Sequence, residues 1–509
     1  MRNGTLGGIG ILIGTAGLVP AIALAQQPAP PPASAPAAPA QTLAVPSADT
    51  TPMPVPHELL QVKPGGLTAD QAGARAAQTS WMAKASMEAL HSAAARVDGA
   101  WSAFLPRLSV LGKYTRLSDF TPPPVSLGSG SLVGTSAPAG LIPGGTPLYS
   151  SGPLNFSFPF FVLDNWLLQA NITIPISDYF LRTNQAYSAA THSQEAAQWD
   201  VVTARAGSEA NGRLAYYAWL DARGAVIVAV EALNDQKTHL RDARNQFAAG
   251  NASKADVLRA ETATAAADLA LEHAKNLRDL SEKQLRTAMH APDDEALLPG
   301  EDLDAPLPPV QGNLSQMNSE AMTARPEIRS ADANAAAAEQ QVRALKAGNW
   351  PVLSAFGDGI LGNPNPRYIP PTNQWNTTWD VGAQVTWSPN DAILAGSNVK
   401  DVEARVAAIE ANKNATRDNI SVEVTEALEA VHEADFAIDS STRELASAEE
   451  AHRVARELFN NGRGTSTTLA DAESELTRAR LDLLNAHVSA RTARIRLEHA
   501  LGRDAHQGP

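Results

Sequence analysis

The sequence predicts a mainly α-helical protein that carries a membrane-type β-sheet and is built from one unit made twice. Three observations predict it. The chain resembles itself: at an offset of 212 residues Gly250 falls on Gly462, Ala260 on Ala472 and Glu261 on Glu473, and the register continues through Leu269 on Leu481, Leu271 on Leu483, Ala274 on Ala486 and Leu285 on Leu497. Residues 180–248 and their copy 392–460 have helical periodicity and no proline. At 1.5 Å per residue such a helix reaches roughly 100 Å, whereas helices of compact domains average about 11–12 residues, so these runs form a coiled coil, a rod or a tube wall. Four further segments alternate apolar and polar residues over about 11–13 positions, enough for a tilted strand to cross a bilayer.

In chain order, residues 1–25 have the layout of a signal peptide: Arg2, a glycine-broken apolar stretch, and Ala23-Leu24-Ala25 as a cleavage site. A single membrane anchor is the alternative. Residues 26–66 are Pro/Ala-rich and predict a disordered or polyproline-like linker. The first repeat, 67–292, opens with a helix over 67–103, with Thr68 as its cap, ended by Pro106. Strands are predicted at 105–117 and 165–177. In the second, Asn165, Gln169, Asn171, Thr173 and Ser177 share one face, and Trp166, Leu168, Ala170, Ile172, Ile174 and Ile176 the other. The long helix 180–248, the Gly250 turn and a returning helix 255–290 follow.

Residues 293–313 are an acidic, proline-rich connector. The second repeat, 314–502, brings a helix over 314–347, strands at 350–360 and 377–388, the long helix 392–460 and a returning helix 467–501; residues 503–509 are a tail. The 350–360 strand alternates poorly because of Gly357 and Gly359, but Pro351-Val352-Leu353-Ser354 repeats Pro106-Arg107-Leu108-Ser109 at an offset of 245. The connections 118–164 and 361–376 join the strands of each pair, so both lie at one end of the sheet, the other strand ends all running into helices. Tyr114, Trp166, Trp350 and Trp387 at the strand ends are the candidate membrane-interface aromatics. A half-buried soluble sheet would alternate in the same way.

Composition narrows the function classes. The formal net charge is −14 and the pI about 5.3, which argues against a general nucleic-acid binder, since that needs a basic face to displace counterions. With no cysteine in the chain, disulfides, zinc–thiolate sites, cysteine nucleophiles and a lipid-modified N-terminal cysteine are all excluded. The 11 histidines are scattered, and neither H-E-x-x-H, a P-loop nor G-x-S-x-G occurs. No enzyme, catalytic residue, cofactor or metal site is expected.

Taken together, these features resemble the TolC-type outer-membrane efflux proteins, over 67–502, nearly all of the expected mature chain. The resemblance rests on the helix–strand–loop–strand–long helix–turn–helix unit present twice. It also rests on the turn motif G-x-x-S-x-x-D-V-L-x-A-E at 250–261, its weaker copy at 462–473, and Arg325-Pro326-Glu327-Ile328. It implies a homotrimer in which four strands per protomer form a shared 12-stranded barrel, continued by a periplasmic α-helical tunnel. Four strands alone cannot close a pore, and open sheet edges are not tolerated in lipid. It further implies the outer membrane of a Gram-negative cell, with a periplasmic extension. The implied activity is that of a passive exit duct for tripartite efflux or type I secretion. Its partners would be outer-membrane lipid, a periplasmic adaptor (membrane fusion) protein and an inner-membrane transporter of the RND, ABC or MFS type.

The family docks its adaptor at the helix tip, here Gly250, Ser253 and Asp256 with Gly462 and Thr465. It closes the tunnel with acidic side chains just past the second turn. Glu473 matches one such position, Ala470 departs at the other, and Asp471 is a neighbour; Arg463 is a candidate partner for Asp256 across protomers. A ring of Glu473 carboxylates would attract cations, so Glu473→Ala is expected to change cation block. The competing reading from another class is a periplasmic or surface coiled-coil scaffold with a small β head and no channel.

Overall fold

The computed structural model describes residues 50–119, 125–127, 154–156, 162–369 and 371–505. The expected signal peptide, most of the linker, most of the 118–164 connection and the end of the tail lie outside the described residues.

The first repeat runs α1 (Ala69–Thr79), α2 (Trp81–Ser102), β1 (Arg107–Arg116), a short hairpin β2 (Val125–Leu127) and β3 (Leu154–Phe156), β4 (Asp164–Ile174), a turn α3 (Ile176–Asp178), one π-turn over Tyr179–Thr183, α4 (Asn184–Ala248) and α5 (Lys254–Met289). The second repeat runs α6 (Leu314–Ala324), α7 (Pro326–Lys346), β5 (Val352–Asn363), β6 (Asn376–Thr386), α8 (Pro389–Asn460) and α9 (Ser466–Ala500). Several element ends repeat residue for residue. Residues 69–79 recur as 314–324 at an offset of 245, and 164–174 recur as 376–386 at an offset of 212.

Helices α4 and α8 contain 65 and 72 residues, or about 100 Å each at 1.5 Å per residue. Each folds back on a shorter partner, α5 on α4 and α9 on α8. Two clusters form the core where the hairpins meet the shorter helices. Tyr216, Trp219 and Leu220 of α4 pack with Ala72, Leu285, Met289 and Leu303, and Ile420, Val424 and Val431 of α8 pack with Met317, Ile328 and Leu497. Alanine supplies much of the remaining buried surface, which lets the helices approach closely.

The helices predicted over 67–103 and 314–347 are each two. The first breaks at Ser80, whose hydroxyl accepts from Met82 N–H and Ala83 N–H and so starts α2 afresh. The second breaks at the equivalent Arg325, because Pro326 cannot continue a helix but suits its first position. Arg325 also reaches across the fold. Its guanidinium donates to Glu327 and Glu423 and to the carbonyls of His499 and Ala500, the last residues of α9. Thr68 caps α1 in a capping box with Gln71.

The chain between 50 and 66, expected as disordered linker, instead follows the hairpin formed by α4 and α5. Val55 and Leu59 pack beside Val226, Val230 and Leu233, Arg223 Nε donates to Leu59 O, and Asn234 exchanges hydrogen bonds with the Met53 backbone. The prolines around this segment obscured an apolar pair spaced to fit a helix groove. Further on it crosses the connector: Leu67 N donates to Leu298 O and Gly300 N to Leu67 O. A Cβ at Gly66 would lie 2.3 Å from Pro299 O, and one at Gly300 2.5 Å from Gly66 O, so this crossing requires glycine on both sides.

The four long strands form one antiparallel sheet in the order β1-β4-β5-β6. One face presents Leu108, Val110, Trp166, Leu168, Ile172, Trp379, Val381 and Val385, all exposed. The other presents Ser109, Gln169, Asn171, Thr173, Asp358, Thr378, Asp380 and Gln384. Gly357 and Gly359 sit inside β5 with their pairing intact, opposite Ile172 and Ala170. The strand is therefore longer than its weak alternation suggested.

Candidate functional sites

Two regions carry the residues singled out by sequence. The first is the sheet. Tyr114 and Trp166 are a directly opposed pair near the looped end, their rings 4.5 Å apart and exposed on the apolar face. Trp350 and Trp387 flank the other ends of β5 and β6, also exposed. An apolar band between two sets of aromatics, with amides, hydroxyls and carboxylates on the opposite face, suits lipid on one side and water on the other.

The second region is the pair of turns. Gly250 and Gly462 have φ of +81° and +69° with open space around them, the left-handed conformation that ends a helix most cheaply on glycine. The same two hydrogen bonds close both turns. Gly250 N donates to Phe247 O and Asn251 N to Gln246 O; Gly462 N donates to Phe459 O and Arg463 N to Leu458 O. Ser253 then caps α5 in a capping box with Asp256, and Thr465 caps α9. Hydrogen bonds from the Ser253 hydroxyl and N–H hold the Asp256 carboxyl below its usual range, helped by Arg259. Gln246 Nε2 donates to Asn460 O at 2.9 Å, so the two turns are side by side.

Asp471 and Arg463 are exposed, and Asp256 pairs within its own helix with Arg259. Glu473 takes a position other than the one expected of a ring-forming carboxylate. Its side chain is 3 % exposed, enclosed between the two hairpins. His239 Nδ1 lies 2.9 Å from Glu473 Oε2, Gln236 Nε2 donates to the same oxygen at 3.0 Å, and His239 Nε2 lies 3.2 Å from Ser466 Oγ. Phe459 closes the group edge-on to the imidazole, at 5.3 Å. Farther from the turns, Arg480 of α9 pairs with Glu231 and Asp235 of α4. His239, Gln236 and Arg480 were invisible to motif reading. Helical periodicity over 180–248 marked only a long helix and did not reveal that a histidine occupied the seam.

The family model described as "Outer membrane efflux protein" matches residues 162–290 and 318–503. Among curated protein sequences none matches the chain. Among solved structures, the outer-membrane channel OprN is 18 % identical, with 85 % of this chain and 89 % of that one covered at a TM-score of 0.66. CusC, described in terms of folding and transmembrane channel formation, is 17 % identical over 90 % and 99 % at 0.67. The Campylobacter jejuni CmeC outer membrane channel is 16 % identical over 90 % and 93 % at 0.65. At these identities the likeness is one of fold.

Proposed function

The chain belongs to the outer membrane efflux protein family, and from that premise we propose how it carries out its role as an efflux exit duct in the outer membrane with a periplasmic helical extension. Three copies would complete the barrel, because β1 and β6 are both unpaired edges of a four-stranded sheet and lipid does not tolerate open edges. The polar face of the sheet would then line a water-filled lumen. Helices α4, α5, α8 and α9 would continue that lumen through the periplasm. The observation that carries this reading is the split of the sheet into one exposed apolar face and one polar face.

Gly250, Ser253, Asp256, Gly462 and Thr465 lie together at the far end of the hairpins and are the proposed docking surface for a periplasmic adaptor, which would join the duct to an inner-membrane transporter of the RND, ABC or MFS type. Because Gln246 ties the turns together, an adaptor would meet both at once. The gate is proposed to be a tie rather than a ring. Glu473, His239 and Arg480 hold the α8–α9 hairpin against the α4–α5 hairpin, and dilation would require breaking that seam. Asp471 and Arg463 remain exposed nearby for contacts between protomers.

Cross-linking in detergent and planar-bilayer recording test this reading together. A ladder ending at three copies, with discrete conductance steps, is the expected result. A detergent-free monomer with silent bilayers would instead leave the coiled-coil scaffold.

A further inference from the structure

The connection between β5 and β6 does not stand away from the sheet. Asn365 is fully buried. Its amide donates to Ile360 O, Asn376 O and Thr378 Oγ1, and its Oδ1 accepts from Arg367 N at 3.0 Å. Thr378 lies on the polar face of the sheet, so the connection is folded inwards over that face. Arg367 then reaches farther along the same face and pairs with Asp380.

Asp380 occupies a defined level. It is directly opposite Asp358, which is directly opposite Asn171, which is opposite Ser109. Asp358 is held by Gln169 Nε2 and Asn171 Nδ2, each donating at 3.0 Å. Each chain thus brings two carboxylates and one guanidinium to one height of the polar face. The other charged side chains on that face of the described strands are Lys113, nearer the looped end, and Arg107, at the helix end.

We propose that the outer mouth of the duct is a charge-selectivity point of its own, set by Arg367 held in the lumen against Asp380. The proposal rests on the exit-duct reading, since it needs the polar face to be the lumen. Three inward-folded connections would narrow the mouth, and their guanidiniums would cancel half of the carboxylates there. In a low-dielectric wall, rings of like charge at a constriction decide which ions pass. Removing the guanidinium leaves Asp380 unbalanced and favours cations. Removing the Asp380 charge leaves the guanidinium unbalanced and favours anions.

The test is the reversal potential of the reconstituted channel in a potassium chloride gradient. Arg367→Gln is expected to raise the cation-to-anion permeability ratio roughly twofold or more, and Asp380→Asn to lower it. Because the chain has no cysteine, Arg367→Cys creates its sole thiol. A positively charged methanethiosulfonate reagent added at the outer side should restore the wild-type potential, and a negatively charged one should push it further towards cations. A conducting channel whose potential is unchanged in both charge variants, or a thiol that the outer reagent does not reach, overturns the proposal. A wild-type protein that does not conduct at all overturns the duct reading itself, a distinct result.

Discussion

Single side chains hold this chain together at places where two helices would otherwise only touch. Glu473 is the clearest case. Its carboxylate accepts from Gln236 and His239 in a space closed to water, and an orphaned buried donor costs about 1–3 kcal/mol. Glu473→Ala is therefore expected to lower the thermal midpoint and raise the mean conductance in bilayers. Glu473→Gln, which keeps an acceptor for the imidazole, should recover part of both. A variant that alters cation block alone, with the midpoint unchanged, would return Glu473 to the lumen. His499 offers a pH handle. The Asp504 carboxylate, 2.5 Å away, raises the pKa of the half-buried imidazole against the cost of burial. A raised folded-state pKa contributes stability that is complete below the unfolded value of about 6.5 and is lost as pH rises through the folded value. Melting curves between pH 5.5 and 8.5 should show the wild type losing more on alkalinisation than Asp504→Asn.

At the scale of elements, the turns and the strands were legible for different reasons. Glycine followed three residues later by serine or threonine and then by a helix-forming run announces both a left-handed helix end and a new cap, and the structure places Gly250, Ser253, Gly462 and Thr465 in those roles. Gly250→Val puts a β-branched side chain at φ +81° and should cost about 1–2 kcal/mol, read as a lowered denaturation midpoint; Gly250→Asn, which tolerates that conformation, should cost less. The alternation of β4 and β6 gave the faces of the sheet directly. The helix break at Ser80 was not legible, since no proline marks it and a mid-helix serine is ordinary. Nor was the burial of Glu473: spacing along one helix says which residues share a stripe, but not whether a neighbouring hairpin covers that stripe. The packing of Val55 and Leu59 was hidden in the same way, their two apolar side chains carrying no period among prolines.

For the molecule as a whole, the twofold repeat sets the architecture: each half supplies a hairpin, a strand pair and a split helix. The halves nevertheless differ where α9 ends. Ser80 opens α2 with a hydroxyl, whereas its counterpart Arg325 spans Glu327, Glu423 and the carbonyls of His499 and Ala500. Arg325→Ser would place the first-half residue in the second half. It should destabilise the protein by about 2–3 kcal/mol, less than for a fully buried pair because Glu423 is partly exposed; denaturant titration would read it. The duplicated halves are thus no longer interchangeable parts. A chimera carrying the amino-terminal unit twice would have every strand and hairpin it needs, yet its carboxyl end would be fastened only as α5 is, by the single hydroxyl of Thr79 on the Met289 carbonyl, and not by a charged clasp.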